Sequence, residues 1–140
     1  MLYLPPVVAA ISNSKFIENK AELGGGAISL ESRATMQMIQ TDVKNNIAGE
    51  QGGALELTGA DTAAYISDVN FVENEAGLSG GAISIEISAS IQMFKTHAIH
   101  NIAKDGDGGF LFVKGAAPVL LSNVNIDASD SGKRSGGGGI

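Results

Sequence analysis

The chain has 140 residues, of which 44% are hydrophobic and 17% are charged, and it lacks cysteine and tryptophan. This is enough apolar sequence for the core of one domain, and the absence of cysteine excludes disulfides, thiolate metal sites and a cysteine nucleophile. The net charge of −6 disfavours nucleic acid and anionic membranes as partners, because both are bound by basic surface.

The chain begins with an apolar stretch, residues 1–10, that contains Pro5 and Pro6. It has no basic residues of the kind that begin a signal peptide, and the prolines interrupt a very short apolar run. Nowhere does the sequence contain the run of about 18 apolar residues that a membrane-spanning helix needs. We therefore predict that residues 1–10 are a flank or part of a first repeat.

An internal repeat starts at Ile11. Segment 11–31 returns as segment 66–86 with 13 of 21 residues identical, and a weaker copy lies between them. Asparagines at the same point of each unit are Asn19, Asn46, Asn74 and Asn101. Glycine pairs follow the same period, as Gly25-Gly26, Gly52-Gly53, Gly80-Gly81, Gly108-Gly109 and Gly136-Gly137. The sequence therefore contains nearly five units of 27–28 residues.

Apolar residues alternate with small or polar ones over short runs inside each unit, as in Ile28 to Leu30 and Ile83 to Ile85. This period of two predicts strands, and frequent Gly and Asn exclude helices. One short unit cannot close a core, so we predict that the units stack as coils, with each strand parallel to its equivalents in the neighbouring coils. A β-sandwich joined by Gly-rich linkers is the alternative, but it predicts glycines without a fixed register.

Stacking would place equivalent residues in columns. We expect the four asparagines to form a ladder of side-chain hydrogen bonds inside a turn, in the left-handed conformation that Asn tolerates. The glycine pairs are expected to supply positive φ at a second corner. Alanines two residues after each Asn, such as Ala48 and Ala76, are expected where only a small side chain fits.

The alternation of Gly25-Gly26-Ala27-Ile28 and Gly80-Gly81-Ala82-Ile83 with Phe16-Ile17-Glu18-Asn19 and Phe71-Val72-Glu73-Asn74 resembles the GGA(I/L/V) and FxxN repeats of the polymorphic outer membrane proteins of chlamydiae. The resemblance covers residues 11–140. It implies a right-handed parallel β-helix of about five coils, residues 1–140 being one segment of a longer passenger-like domain. It also implies an adhesive role at the cell surface or after secretion, with a host-cell surface protein or glycan as partner.

Departures from the family pattern occur in two coils, where Val43 and Ala98 replace the Phe of FxxN, and at Phe110, which replaces the Ala that follows the glycine pair. Phe110 and Phe112 interrupt a column of small or polar residues that we expect to face outward. The sequence therefore suggests a candidate binding patch at Phe110 and Phe112, or alternatively a core that a neighbouring segment covers.

The sequence contains few candidate catalytic or metal-binding residues. Glu18 and Glu73 are expected in one column but two coils apart, beside a turn without an obvious cleft. His97 and His100 are expected to point in opposite directions, and segment 105–109 lacks the full ligand set of a calcium loop. No catalytic residue, cofactor or metal site is therefore predicted.

Three functions remain open. The sequence favours a non-enzymatic module that presents a repetitive binding face, with end-to-end self-association as a further expectation because no polar cap ends the stack. The second is a fragment of a polysaccharide lyase or glycoside hydrolase. The third is a purely structural spacer.

Overall fold

The computed structural model describes residues 7–115, 117–132 and 138–140, and the strands in these ranges follow one another as successive coils. The first coil contains β1 (Val7–Ser12), β2 (Lys15–Ile17), β3 (Lys20–Ala21) and β4 (Ile28–Glu31). The second contains β5 (Ala34–Ile39), β6 (Asp42–Lys44), β7 (Ile47–Ala48) and β8 (Leu55–Thr58). The third contains β9 (Ala63–Ser67), β10 (Asn70–Val72), β11 (Glu75–Ala76) and β12 (Ile83–Glu86). The fourth contains β13 (Ser90–Phe94), β14 (His97–Ile99), β15 (Ile102–Ala103) and β16 (Leu111–Lys114), and the fifth contains β17 (Val119–Ser122), β18 (Asn125–Asp127) and β19 (Asp130–Ser131).

Equivalent strands of successive coils form four parallel sheets. Sheet A has the order β1-β5-β9-β13-β17, sheet B β2-β6-β10-β14-β18, sheet C β3-β7-β11-β15-β19 and sheet D β4-β8-β12-β16. The described part of the chain contains no helix. The predicted stack of parallel coils is therefore confirmed, with four complete coils and three strands of a fifth; Val7–Ala10 belong to β1.

The register follows the sequence repeat. In sheet A, Met36 pairs with Ala64 and Ala64 with Ile91, at steps of 28 and 27 residues. In sheet B, Lys15 pairs with Asp42 and Asp42 with Asn70, as their equivalent places in the repeat predict. Neighbouring strands lie about 4.8 Å apart, so one coil advances the stack by that distance.

The core consists of the inward-facing columns of all four sheets. Phe71, Ile66, Leu57, Ile85 and Met93 have no exposed surface. Burial of a side chain of this size contributes about 1.5–3 kcal/mol each, which only the stacking of coils makes available. The small-residue column of sheet C behaves as predicted, because Ala48, Ala76 and Ala103 are all buried.

Single residues with positive φ turn the chain at its corners. Between sheets A and B they are Asn13, Gln40, Asp68, Lys95 and Asn123. Between sheets B and C they are Glu18, Asn45, Glu73, His100 and Ala128. The prediction that the ladder asparagines adopt the left-handed conformation is therefore wrong, since the residue before each of them does so.

The glycine pairs divide two roles between them. Only the first glycine of each pair has positive φ, 59° at Gly52 and 67° at Gly80. The second lies too close to the next coil for a side chain, because a Cβ on Gly53 would overlap the carbonyl oxygen of Gly81. The prediction of positive φ is thus correct for the first glycine and wrong for the second; Gly136 and Gly137 lie outside the described residues.

A bulge follows every glycine pair in the described chain. The N–H groups of Ala54 and Leu55 both donate to the carbonyl oxygen of Ala82, each at 2.9 Å. The N–H groups of Ala82 and Ile83 share the carbonyl of Phe110 in the same way. Two consecutive side chains therefore point into the core, and the simple alternation of inward and outward residues fails at this point.

Candidate functional site

The asparagine ladder is a continuous hydrogen-bonded column along the stack. The side chain of Asn74 donates to the carbonyl of Val43 and to Oδ1 of Asn101, both at 2.9 Å. Its own Oδ1 accepts from the backbone and side-chain nitrogens of Asn46 at 3.1 and 2.9 Å. The predicted side-chain contacts from Asn19 through Asn46 and Asn74 to Asn101 are present. The column ends at Ser129, whose hydroxyl oxygen lies 3.4 Å from the backbone nitrogen of Asn101. The amides of Asn46, Asn74 and Asn101 are buried and hydrogen-bonded, so they have a structural role.

The candidate binding patch at Phe110 and Phe112 needs a correction. Phe110 is completely buried, and its ring centroid lies 5.7 Å from that of Phe71 in the core. The bulge after Gly108-Gly109 turns Phe110 inward together with Leu111, so counting alternate positions assigns it to the wrong face. Phe112 pairs with Ser84 on the outer column of sheet D and is half-buried. The two rings do not form one exposed patch.

A polar groove follows the corner between sheets A and B. It consists of two contiguous open depressions of about 480 and 390 Å³ that share Asp68 and Asn70. The groove is lined by one residue set at and next to the corner, namely Asn13, Ser14, Lys15, Gln40, Thr41, Asp42, Asp68, Asn70, Lys95, His97 and Asn123. Every coil contributes to this lining. We call this surface the corner groove.

Hydrogen bonds fix part of the corner groove before any ligand arrives. Asn70 Nδ2 donates to Asp42 Oδ1 at 2.8 Å, and Lys44 Nζ lies 3.4 Å from Asp42 Oδ2. The Asn70 hydrogen bond, with a further contribution from Lys44, lowers the pKa of Asp42 below its ordinary value. Asp42 is therefore ionised at neutral pH, with one oxygen held towards the next coil.

Two aromatic rings lie on sheet A close to the corner in sequence, although neither lines the corner groove. Phe94 immediately precedes Lys95, and its ring centroid lies 5.5 Å from that of Tyr65. Tyr65 is 39% exposed, and Phe94 is half-buried. The pair forms an apolar shoulder on sheet A, outside the residues that line the groove.

The outer face of sheet D has a different character, because it concentrates carboxylates. Glu56 lies over Gly24 and near Glu31, Glu50 and Glu86. Burial raises the pKa of Glu56, and the negative charge of Glu86 raises it further. Within the residues that the structure describes, no group of three or more His, Asp or Glu side chains could hold a metal ion.

The carboxylates considered for catalysis do not meet in the corner groove. Glu18 and Glu73 are both exposed at the corner between sheets B and C, at φ of 58° and 54°. Of the two histidines, His97 lines the groove and His100 lies at that other corner. Asp105 and Asp107 are exposed in the turn before Gly108.

The groove itself was not predicted from the sequence, although four of its eleven lining residues occupy equivalent places in the repeat. The repeat places Lys15, Asp42, Asn70 and His97 in one column, which the pairing of sheet B confirms. The repeat does not show that the chain bends at the positive-φ residues, and this bend brings the column beside that of Asp68 and Lys95. The available signal was a pair of polar positions flanking one inward residue in every unit, such as Asp68 and Asn70 around Val69.

No helix in the described ranges is long and apolar enough to cross a membrane. Comparison with known proteins adds no further constraint, since no family model, no curated protein and no solved structure matches this chain significantly.

Proposed function

We propose that this chain is a non-catalytic binding module of a cell-surface or secreted protein, and that its ligand is a host-cell surface protein or glycan. The observation that supports this proposal is the corner groove, which runs along every coil and has both donors and acceptors in its lining. Since its polar groups repeat at every coil, binding energy is spread over many weak contacts rather than one deep pocket.

The rigid stack suits this function. Most of the backbone around the groove is paired with the coils above and below, as in the five parallel strands of sheet B. A ligand therefore meets side chains that are already positioned, which reduces the entropy lost on binding. The resemblance to chlamydial outer membrane proteins is consistent with such a display role.

The test is a binding screen with the intact chain on arrays of host-cell surface proteins and of glycans. The proposal expects saturable binding to at least one class, reduced by substitution in the corner groove. A purely structural spacer would bind neither array, and that result would contradict the proposal.

A second assay separates binding from catalysis. The chain is incubated with polygalacturonate and with neutral polysaccharides, and new reducing ends and unsaturated products are measured. The proposal expects neither product. Product that disappears in Glu73→Gln or Asp68→Asn would instead show a polysaccharide-degrading enzyme.

A further inference from the structure

The charges in the corner groove balance. Its lining contains two lysines, Lys15 and Lys95, and two aspartates, Asp42 and Asp68, so its formal charge is zero with His97 neutral. The aspartates lie in the middle of the groove, and the whole chain has a net charge of −6. Lys44 pairs with Asp42, so it is chiefly Asp68 and the net negative charge that would repel a polyanion, whereas a polycation would meet a lysine in each depression.

The remaining lining groups match hydroxyl ligands. Side-chain amides of Asn13, Gln40, Asn70 and Asn123 present a donor and an acceptor each, and the two aspartates present acceptors only. A sugar hydroxyl can donate to one such group while accepting from its neighbour. A carboxylate or phosphate only accepts hydrogen bonds, so it could bond to the amide nitrogens of the groove but not to its aspartates.

The aromatic shoulder adds a second type of contact. Phe94 precedes Lys95 in sequence and packs against the partly exposed Tyr65. The C–H face of a pyranose packs on such ring surface while its hydroxyls point to polar neighbours. The combination of apolar shoulder and amide-rich floor is therefore suited to a sugar ring.

The direction of the corner groove argues against an extended peptide as the main ligand. A peptide gains most of its affinity by adding a strand to a sheet edge, but the groove runs across the strands, whose backbone is already paired. The groove instead repeats its side chains at steps of about 4.8 Å, close to the length of one hexose unit in an extended chain.

From these observations we infer that the corner groove binds a neutral oligosaccharide chain laid along the axis of the stack. Its hydroxyls bond to Asp68, Asn70 and His97, and one ring packs on Tyr65 and Phe94. This inference rests on the proposed binding function and names its ligand class and its site.

The direct test is isothermal titration of the intact chain with neutral cello- and chito-oligosaccharides of increasing length, and with an oligogalacturonate of matched length. Affinity for at least one neutral series is expected to rise with each added sugar and to level off at about five units, one per coil. The oligogalacturonate is expected to bind more weakly.

Matched variants locate the site. His97→Ala and Asn70→Ala are each expected to weaken binding about tenfold, which corresponds to one lost hydrogen bond of about 1.4 kcal/mol. His100→Ala and Asn45→Ala remove the same side chains from the neighbouring corner and should bind like the original chain. Tyr65→Ala should weaken binding, whereas Tyr65→Phe keeps the ring and most of the affinity. Far-UV circular dichroism verifies that each variant is folded.

A measurement on the unsubstituted chain provides an independent check. Saturation with the best neutral oligosaccharide should shift the imidazole NMR resonances of His97 and leave those of His100 unchanged. Absence of binding by every neutral series, tighter binding of the oligogalacturonate, or equal loss in His97→Ala and His100→Ala would each overturn the inference. If the arrays show a protein ligand and the unsubstituted chain binds no sugar, the binding function stands and this ligand class is wrong.

Discussion

The residues that hold the coils together are the ladder asparagines, and their importance depends on position along the stack. Asn74 is buried, and its side-chain oxygen and nitrogen form hydrogen bonds to three other residues. Asn19 in the first coil is exposed, and its side chain donates to Oδ1 of Asn46. Since an unpaired polar group is costly mainly when it is buried, the two positions should respond differently to the same substitution.

We expect Asn74→Ala to lower the free energy of unfolding by about 3 kcal/mol, because it leaves the N–H of Asn46 without its partner in the core and removes the side-chain hydrogen bonds to Val43 and Asn101. Asn19→Ala is the matched control and should cost less than about 1 kcal/mol. Urea unfolding followed by circular dichroism measures both. Equal losses at the two positions would contradict a structural role for the buried ladder.

The turn that precedes sheet D needs glycine because the next coil leaves no room for a side chain there. Gly81 has no positive φ, but a Cβ there would overlap the Gly109 carbonyl and lie 2.6 Å from the carbonyl carbon of Ile102. Gly115 is the opposite case, with φ of 89° and nothing within 4 Å of the added atom. Substitutions at Gly81 and Gly115 therefore distinguish a steric clash between coils from strain in the backbone.

Gly81→Ala should therefore destabilise the protein by about 3 kcal/mol or more, since the clash is with backbone that cannot move without separating two coils. Gly115→Ala should cost about 1 kcal/mol, the strain of a left-handed alanine. Thermal unfolding distinguishes the two. A larger loss at Gly115 would show that φ, and not close stacking, determines glycine in this repeat.

The outer face of sheet D should make stability depend on pH. The folded pKa of Glu56 lies above its ordinary value of 4.5, first because of burial and then because of Glu86. A group whose pKa is raised on folding contributes stability at low pH, and that contribution is lost as the pH rises through the folded pKa.

Glu56→Gln removes the charge and should raise stability at pH 7 by a few tenths of a kcal/mol, up to about 1 kcal/mol, because solvent screens a half-exposed group. The gain should shrink as the pH falls through the folded pKa and vanish well below 4.5, where Glu56 is protonated in both the folded and the unfolded state. Glu73→Gln, at an exposed corner, should change little. Chemical unfolding at a series of pH values measures the difference, and a gain that does not vary with pH would contradict the assignment.

The whole molecule behaves as a stack whose coils contact their immediate neighbours. Met36 and Ile91 occupy equivalent places two coils apart, and both face the core in the column that also contains Ala64. Removal of residues 36–90 would join Thr35 to Ile91 without a change of register. The shortened chain should remain folded, because each remaining coil still has a compatible neighbour.

Circular dichroism and small-angle X-ray scattering test this deletion. We expect a strand-rich spectrum, a lower unfolding midpoint and a molecule shorter by about 10 Å, two steps of the strand spacing. An in-frame deletion of the same length shifted by ten residues, from 46 to 100, joins Asn45 to Asn101 and also preserves the register, so it should fold as well. Unfolding of both variants would contradict independent stacking of the coils.

The sequence alone determined the period, the columns and the parallel register, because equivalent side chains that stack at the strand spacing must be similar in size and polarity. It therefore predicted that Asn19, Asn46, Asn74 and Asn101 form a ladder and that the alanines two residues later, such as Ala48 and Ala76, form a column of small side chains. Only the tertiary structure decided the direction of Phe110, since a bulge turns two consecutive side chains inward and leaves no trace in the spacing. The tertiary structure also decided which outer columns meet across the corner groove. The bend at Asp68 and Lys95 sets that proximity, whereas a repeat in sequence reports which residues lie above one another and carries no information about the angle between sheets.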